Sequence, residues 1–257
     1  MVLTTQSFYS IPLPVVATGL IAYNIGSQGY VAYCMVSVFL GLTDTFIGGI
    51  EDAEGILTAQ AIGMENYFMA GQYYQVSMIL YLATSIPCYI IWTFYIDMPI
   101  LALGLGEEVA ALSMDYVKFA VWSYVINGMS DSLSTLLWSA DYTTSLTVID
   151  IVCNVLYVIN LYYLFEYGYN TLGHVAILGI IWGVIYGVFM FCFVTYHRFL
   201  EPYWKGMFRN YAFKVRYLLN VLPLCLRVIN SHIRIIYYDL RPFLIGSVSH
   251  FLSLVTW

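Results

Sequence analysis

The chain has 257 residues, 61% of them hydrophobic and only 9% charged, with a formal net charge of −6 and a mean hydropathy of +0.79. A soluble domain carries about 25% charged residues, so a surface made for water is excluded. The lack of any basic face before the last quarter of the chain excludes a nucleic-acid partner.

No charge occurs before Asp44, so the basic region of a secretory signal is missing and the chain starts almost directly in membrane sequence. Residues 11–23 and 29–43 form two apolar runs separated by Asn24-Ile25-Gly26-Ser27-Gln28-Gly29. The second run continues through an acidic patch to Gly63, which predicts one long second helix. Residues 68–94 hold no charge, and 117–138, 144–165 and 173–196 add three further runs, making six spans and a candidate seventh starting near Tyr217. A spanning helix takes roughly 20 apolar residues, and only helices or closed barrels satisfy their backbone in lipid. Runs of this length predict an all-α bundle. The expected connections are Met64-Glu65-Asn66-Tyr67, residues 97–115, Asp141-Tyr142-Thr143 and residues 166–172.

Apart from Lys118, every Lys and Arg follows the sixth span, beginning with Arg198 and Lys205. The positive-inside rule puts that connection in the cytoplasm. Six spans then place the amino terminus inside and the loop bearing Glu107 and Glu108 outside. Many of the 25 tyrosines lie near span ends, where the headgroup region suits them; Tyr73, Tyr74 and Tyr124 are alternatives for an interior cavity wall. The cysteines, Cys34, Cys88, Cys153, Cys192 and Cys225, stand singly in apolar stretches and read as small helix residues. His174, His197, His232 and His250 are scattered without metal-ligand spacing, so no metal or other cofactor is expected, and His174 reads as a capping or interfacial residue. Neither a phosphate-binding GxxxxGK[ST] loop nor a GxSxG elbow is present, which argues against ATP-driven transport and hydrolysis.

The end of the second span reads Leu57-Thr58-Ala59-Gln60-Ala61-Ile62-Gly63-Met64-Glu65-Asn66-Tyr67. The loop after the third reads Pro99-Ile100-Leu101, followed by Gly106-Glu107-Glu108; Gly168, Gly173 and Ala176 lead into the sixth span, and Pro202 and Trp204 follow it. This series, with Gln60, Gly63, Pro99 and Gly106 as its signature positions, resembles the multidrug and toxic compound extrusion (MATE) transporters, especially their eukaryotic branch, over about residues 12–224. The resemblance implies one lobe of a two-lobed, twelve-span transporter: a six-helix lobe at 1–200, a cytoplasmic connector and start of a seventh span at 201–224, and a tail at 225–257 foreign to the family. A truncated or mispredicted product, with the second lobe missing as a partner, is the corresponding expectation. It also implies exchange of organic cations or other xenobiotics for protons or sodium, in the plasma membrane or a vacuolar or other organellar membrane.

Acids inside a bilayer cost roughly 2.5–3.5 kcal/mol each on insertion scales and are functional candidates by default. Glu51, Asp52 and Glu54 cluster in the second span, with Glu51 and Glu54 on one helical face and Asp52 pointing elsewhere. Two such carboxylates cannot both ionise cheaply, as a proton carrier requires; alternatively, a water-filled vestibule solvates them. Asn127 with Asp131, and Asp150 with Asn154, are i, i+4 pairs that either bind a cation or tie helices together. Against the bacterial pattern, Asn154 matches the fifth-span Asn, while Val158 stands in place of its Asp and Thr18 in place of the first-span acid. Gly55 stands at the family's usual second-span acid. The rival expectations are a polytopic membrane enzyme or lipid flippase, and a half-protein that transports nothing.

Overall fold

The computed structural model describes residues 12–204, 217, 219–231 and 233–234, and among these it contains helices and turns but no strand. The helices are α1 (Pro12–Ile25), α2 (Ser27–Ile47), α3 (Gly49–Gly63), α4 (Tyr67–Tyr95), α5 (Asp97–Ala102), α6 (Glu107–Ser139), α7 (Thr143–Glu166) and α8 (Leu172–Tyr196), followed by α9 (Leu219–Ser231). Five stretches are long and apolar enough to cross a bilayer: Ser27–Gly63, Tyr67–Tyr95, Glu107–Ser139, Thr143–Glu166 and Leu172–Tyr196.

The first run supplies the 14 residues of α1, and residues 1–11 before it lie outside the described region. Two sequence expectations need correction. The second helix is interrupted by a turn at Gly48, where a pair of glycines weakens the helix; hydrogen bonds from Gly48 N to Asp44 O and from Asp52 N to Gly48 O keep α2 and α3 nearly continuous. The connection expected over 97–115 is mostly helical. Asp97–Ala102 forms α5, and α6 starts at Glu107, ten residues before the apolar run, because Gly106 turns the chain at φ 91° and two glutamates then meet the positive end of the helix dipole. The other three connections fall at the expected positions. At the far end α9 runs on past Leu224 to Ser231, into the segment expected to be a foreign tail; residues 235–257 lie outside the described region.

The turns share one device. α3, α6, α7 and α8 each end two residues before a left-handed residue: Glu65, Asp141, Gly168 and Arg198. In each case the next N–H reaches back five residues: Asn66 to Ala61 O, Tyr142 to Leu137 O, Tyr169 to Leu164 O and Phe199 to Val194 O. This is the Schellman closure, which satisfies carbonyls that lipid cannot. At the other ends, Asn66 caps α4 by accepting from Met69 N at 3.2 Å, and Thr171 caps α8 by accepting from His174 N while its hydroxyl contacts His174 Nδ1 at 2.6 Å.

α4 and α6 form the centre of the lobe. Residues 70–78 of α4 are buried all round, as expected of a helix with neighbours on every side. α8 packs on α6 through Gly179, Gly183 and Gly187, whose absent side chains leave room for Ser123, Asn127 and Ser130 respectively. Small residues at spacing four are what close helix approach in a membrane requires. The outward faces of α7 and α8 carry Val148, Val152, Val155 and Ile159, and Ile177, Ile181, Val184 and Val188, all exposed at helical spacing. Such apolar faces suit lipid and would be a liability in water.

Candidate functional site

The helices α3, α6 and α8 run in the same direction, as their registered contacts show. Glu54 meets Ser132 and Thr58 meets Ser139 between α3 and α6; Gly179 meets Ser123 and Gly187 meets Ser130 between α8 and α6. α7 runs oppositely, which brings Asp150, near its start, against Tyr186, in the second half of α8. The Tyr186 hydroxyl donates to Asp150 Oδ1 at 2.5 Å. One turn along α6 from Asn127, Asp131 points into the same space.

That space is a cavity of about 700 Å³ inside the lobe. Its polar wall holds Asn127, Asp131, Asp150 and Asn154, so the two i, i+4 pairs converge although they sit on different helices. Its aromatic wall holds Tyr33, Tyr116, Tyr124, Tyr157, Trp182 and Tyr186. Asp131 is open to the cavity, and Asn154 Nδ2 donates to the Asp150 backbone O at 2.8 Å, leaving its carbonyl oxygen available. Among the described residues the ion pairs are Lys118–Asp115 at 3.0 Å and Arg198–Glu201 at 3.5 Å, both exposed. Neither Asp131 nor Asp150 has a cationic partner there. Carboxylates removed from water ordinarily need one, and this arrangement can accept a proton or a cation brought from outside. Among the described residues no group of His, Cys, Asp and Glu is placed to hold a metal ion.

The remaining candidates lie elsewhere. Tyr124 lines the cavity, but Tyr73 and Tyr74 do not: both are buried on the α4 face turned to the connector and α9. Tyr73 accepts a hydrogen bond from Asn220 Nδ2 at 3.0 Å and meets Tyr217 edge-on, and Tyr74 stacks on Trp204. Glu54 is fully buried on the far side of α6 from the cavity, with Oε2 accepting from Ser132 Oγ at 3.0 Å. Glu51, three residues earlier on α3, is half-buried, and Asp52 is exposed. Gln60 and Gly63 end α3, Pro99 sits in the first turn of α5 where its missing N–H costs nothing, and Gly106 sets the start of α6. These signature positions shape helix ends rather than a binding surface. Thr18 bonds its own helix, donating to Pro14 O at 2.7 Å.

Sequence reasoning missed Tyr186 and Asp44. Tyr186 is the residue just before Gly187 in the glycine stripe, and that stripe was the available signal. Asp44 accepts from Tyr89 Oη at 3.0 Å across α2 and α4, and Trp92 Nε1 donates to neighbouring Thr43 Oγ1 at 2.7 Å; a lone acid one residue after an apolar run gave no hint of these partners.

A polytopic helical lobe with an acid- and aromatic-lined internal cavity is the general class these features define. Residues 6–164 match the family model described as MatE, and the chain belongs to that family; it is a multi-pass membrane protein. Similar solved structures include a multidrug resistance MATE family transporter of the MOP superfamily in an inward-facing conformation (15% identity, 88% of this chain and 50% of that one, TM-score 0.65). A second, of the same description but outward-facing, gives 15% identity over 90% and 50% with TM-score 0.73. A third is a MOP superfamily transporter from Pyrococcus furiosus (16% identity, 90% and 50%, TM-score 0.71). At these identities the likeness concerns the fold. The chain spans about half the length of the structures it matches, as one lobe would. No curated protein sequence matches it.

Proposed function

We propose that this chain is the cation-handling lobe of a secondary active exporter, which exchanges organic cations for protons as it rocks against a second lobe. This is a transport role and not a catalytic one. The observation that carries the reading is the pair Asp131 and Asp150 in one aromatic-walled cavity, without a cationic side chain among the described residues to neutralise them. A cation over an aromatic face gains about 0.5–2 kcal/mol and more when desolvated. Two carboxylates add charge attraction in a medium less polar than water. A proton and an organic cation therefore compete for the same negative charge, which is what antiport needs. The scaffold of MatE family membership supports the same class.

The test is ethidium transport in proteoliposomes holding the chain together with a second lobe. An inward pH gradient should drive ethidium movement, and its collapse should stop it. Transport that ignores the gradient, or persists undiminished in Asp131→Asn combined with Asp150→Asn, would remove the proposal.

A further inference from the structure

Glu54 has no place in the cavity, yet nothing structural uses it up. It is fully buried, Ser132 Oγ serves Oε2 at 3.0 Å, and Oε1 has no hydrogen-bond partner among the described residues. Its titratable neighbours are Glu51 on its own helix, Tyr74 on α4 and Cys225 on α9; α6 contributes only the Ser132 hydroxyl. No Lys, Arg or His of the described residues is among them.

The register explains how this pocket relates to the cavity. Asp131 and Ser132 are consecutive on α6, and consecutive helix residues diverge by about 100°. One therefore faces the cavity while the next faces α3. With Glu54 opposite Ser132 and Thr58 opposite Ser139, Glu51 falls about one turn before Ser132, near the level of Gly128. It lies within electrostatic reach of Asp131, Asp44 and Asp52 as well as of Glu54. Asp131 is in turn within electrostatic reach of Asp44 on α2, Glu51 on α3, Tyr81 on α4, Asp150 on α7 and Tyr186 on α8, with no basic group among the described residues in that set. Carboxylates thus run from the cavity to the far side of α6.

What Glu54 can bind is limited by its surroundings. An organic cation needs space, and Glu54 is sealed, with Ala53 and Thr58 fully buried beside it. A sodium ion needs about six oxygen ligands (as hard cations generally do), whereas one of the two groups here is a hydroxyl that donates. A bare carboxylate oxygen without a donor is costly to bury, and a proton answers that cost.

We propose that Glu54 is a proton-only station joined through Glu51 to Asp131, so that proton and cargo reside on opposite faces of α6. This rests on the organic-cation reading of the cavity. In each transfer the O–H bond of one carboxylic acid breaks and an O–H bond forms on the next carboxylate, so the negative charge moves the opposite way. A proton entering at Asp131 passes to Glu51 and then to Glu54. With Glu54 protonated the lobe loses a negative charge near the cavity and cargo is held less tightly; cargo binding, reciprocally, expels the proton.

Two measurements on the full chain in detergent decide it. Infrared difference spectra on acidification should show a carboxyl C=O band that is missing in Glu54→Gln and displaced in Ser132→Ala. Ethidium titrations should show Glu54→Gln weakening binding no more than about threefold while releasing fewer protons per ethidium, by up to about two-thirds of a proton, the most that a threefold linkage allows. An unchanged carboxyl band in Glu54→Gln overturns the station whether or not ethidium binds. Unchanged proton release with the band lost overturns its coupling to cargo. Failure of the wild type to bind ethidium removes the cavity reading and the coupling with it, and leaves the infrared arm to judge Glu54 alone. A more than tenfold loss of affinity in a folded Glu54→Gln would make it a cargo ligand and refute the separation.

Discussion

The two faces of α6 are made from adjacent residues and have opposite characters. On one face Asn127, Asp131 and Ser134 border an open cavity with aromatic walls. On the other, Ser132 and Leu136 are sealed against α3 and α4, and the acid they meet, Glu54, is fully buried. The difference comes from the neighbours. α7 stands off from α6 and leaves the cavity beside it, with α8 pinned by its glycine stripe, whereas α3 and α4 fit along the other face. A membrane helix can thus keep ionisable groups in two unlike environments with a one-residue step, which composition and periodicity do not reveal.

The largest expected effect is to destroy the contrast altogether. Gly128 of α6 sits directly against the Tyr81 ring and hydroxyl, and any Cβ there would overlap them. Tyr81 is fully buried and donates to Tyr124 O at 3.2 Å, so it has nowhere to go. Overpacking of this kind costs about 1–3 kcal/mol or more. Gly128→Val should abolish the monodisperse peak in detergent size-exclusion chromatography, and near-normal yield would show α4 and α6 to be looser than described.

Next come the cavity acids. Asp131→Asn and Asp150→Asn should each weaken ethidium binding at least tenfold, equivalent to about 1.4 kcal/mol, as read by fluorescence titration. Equal affinity in both variants would mean that the aromatic wall binds cargo without them.

Tyr186→Phe sharpens the same side. Its hydroxyl holds Asp150 at 2.5 Å, and hydrogen bonds to charged groups contribute about 1.5–3 kcal/mol. Part of that is regained by other donors, so a three- to tenfold weaker ethidium affinity with normal yield is expected. No change would show that Asp150 is positioned without it.

The helical class, the spans and most connections were legible because apolar length is the signal that lipid itself selects. The acids other than Asp44 were legible too, since their cost in a bilayer singles them out one by one. Their grouping was not. Glu51 and Glu54 share a face by spacing, yet the wall of α6 stands between Glu54 and the cavity, and only packing places it there. Tyr73 and Tyr74 illustrate the same limit: an aromatic residue reads alike whether it lines a cavity or seats α9. Of the left-handed residues that close α3, α6, α7 and α8, three (Glu65, Asp141 and Arg198) are not glycine, so that helix ending had no compositional mark. The early start of α6 escaped because Glu107 and Glu108 suit a helix's first turn but look like loop residues when hydropathy alone is counted.

The smallest expected effect provides the control for the whole comparison. Asn66 caps α4 and Thr171 caps α8 at chain turns rather than in either α6 face. Removing a cap costs about 1 kcal/mol, so Asn66→Ala and Thr171→Ala should each lower the melting temperature by a few degrees in a fluorescence melt. Both should leave ethidium affinity within about twofold, since the register of α8 on α6 is set by Gly179, Gly183 and Gly187 and not by where α8 begins. A tenfold change in Thr171→Ala would mean that the cap, and not the glycine stripe, fixes how Tyr186 meets Asp150. The contrast between the two faces of α6 would then depend on the turn that starts α8, and the cavity would be a far softer structure than its close-packed glycines suggest.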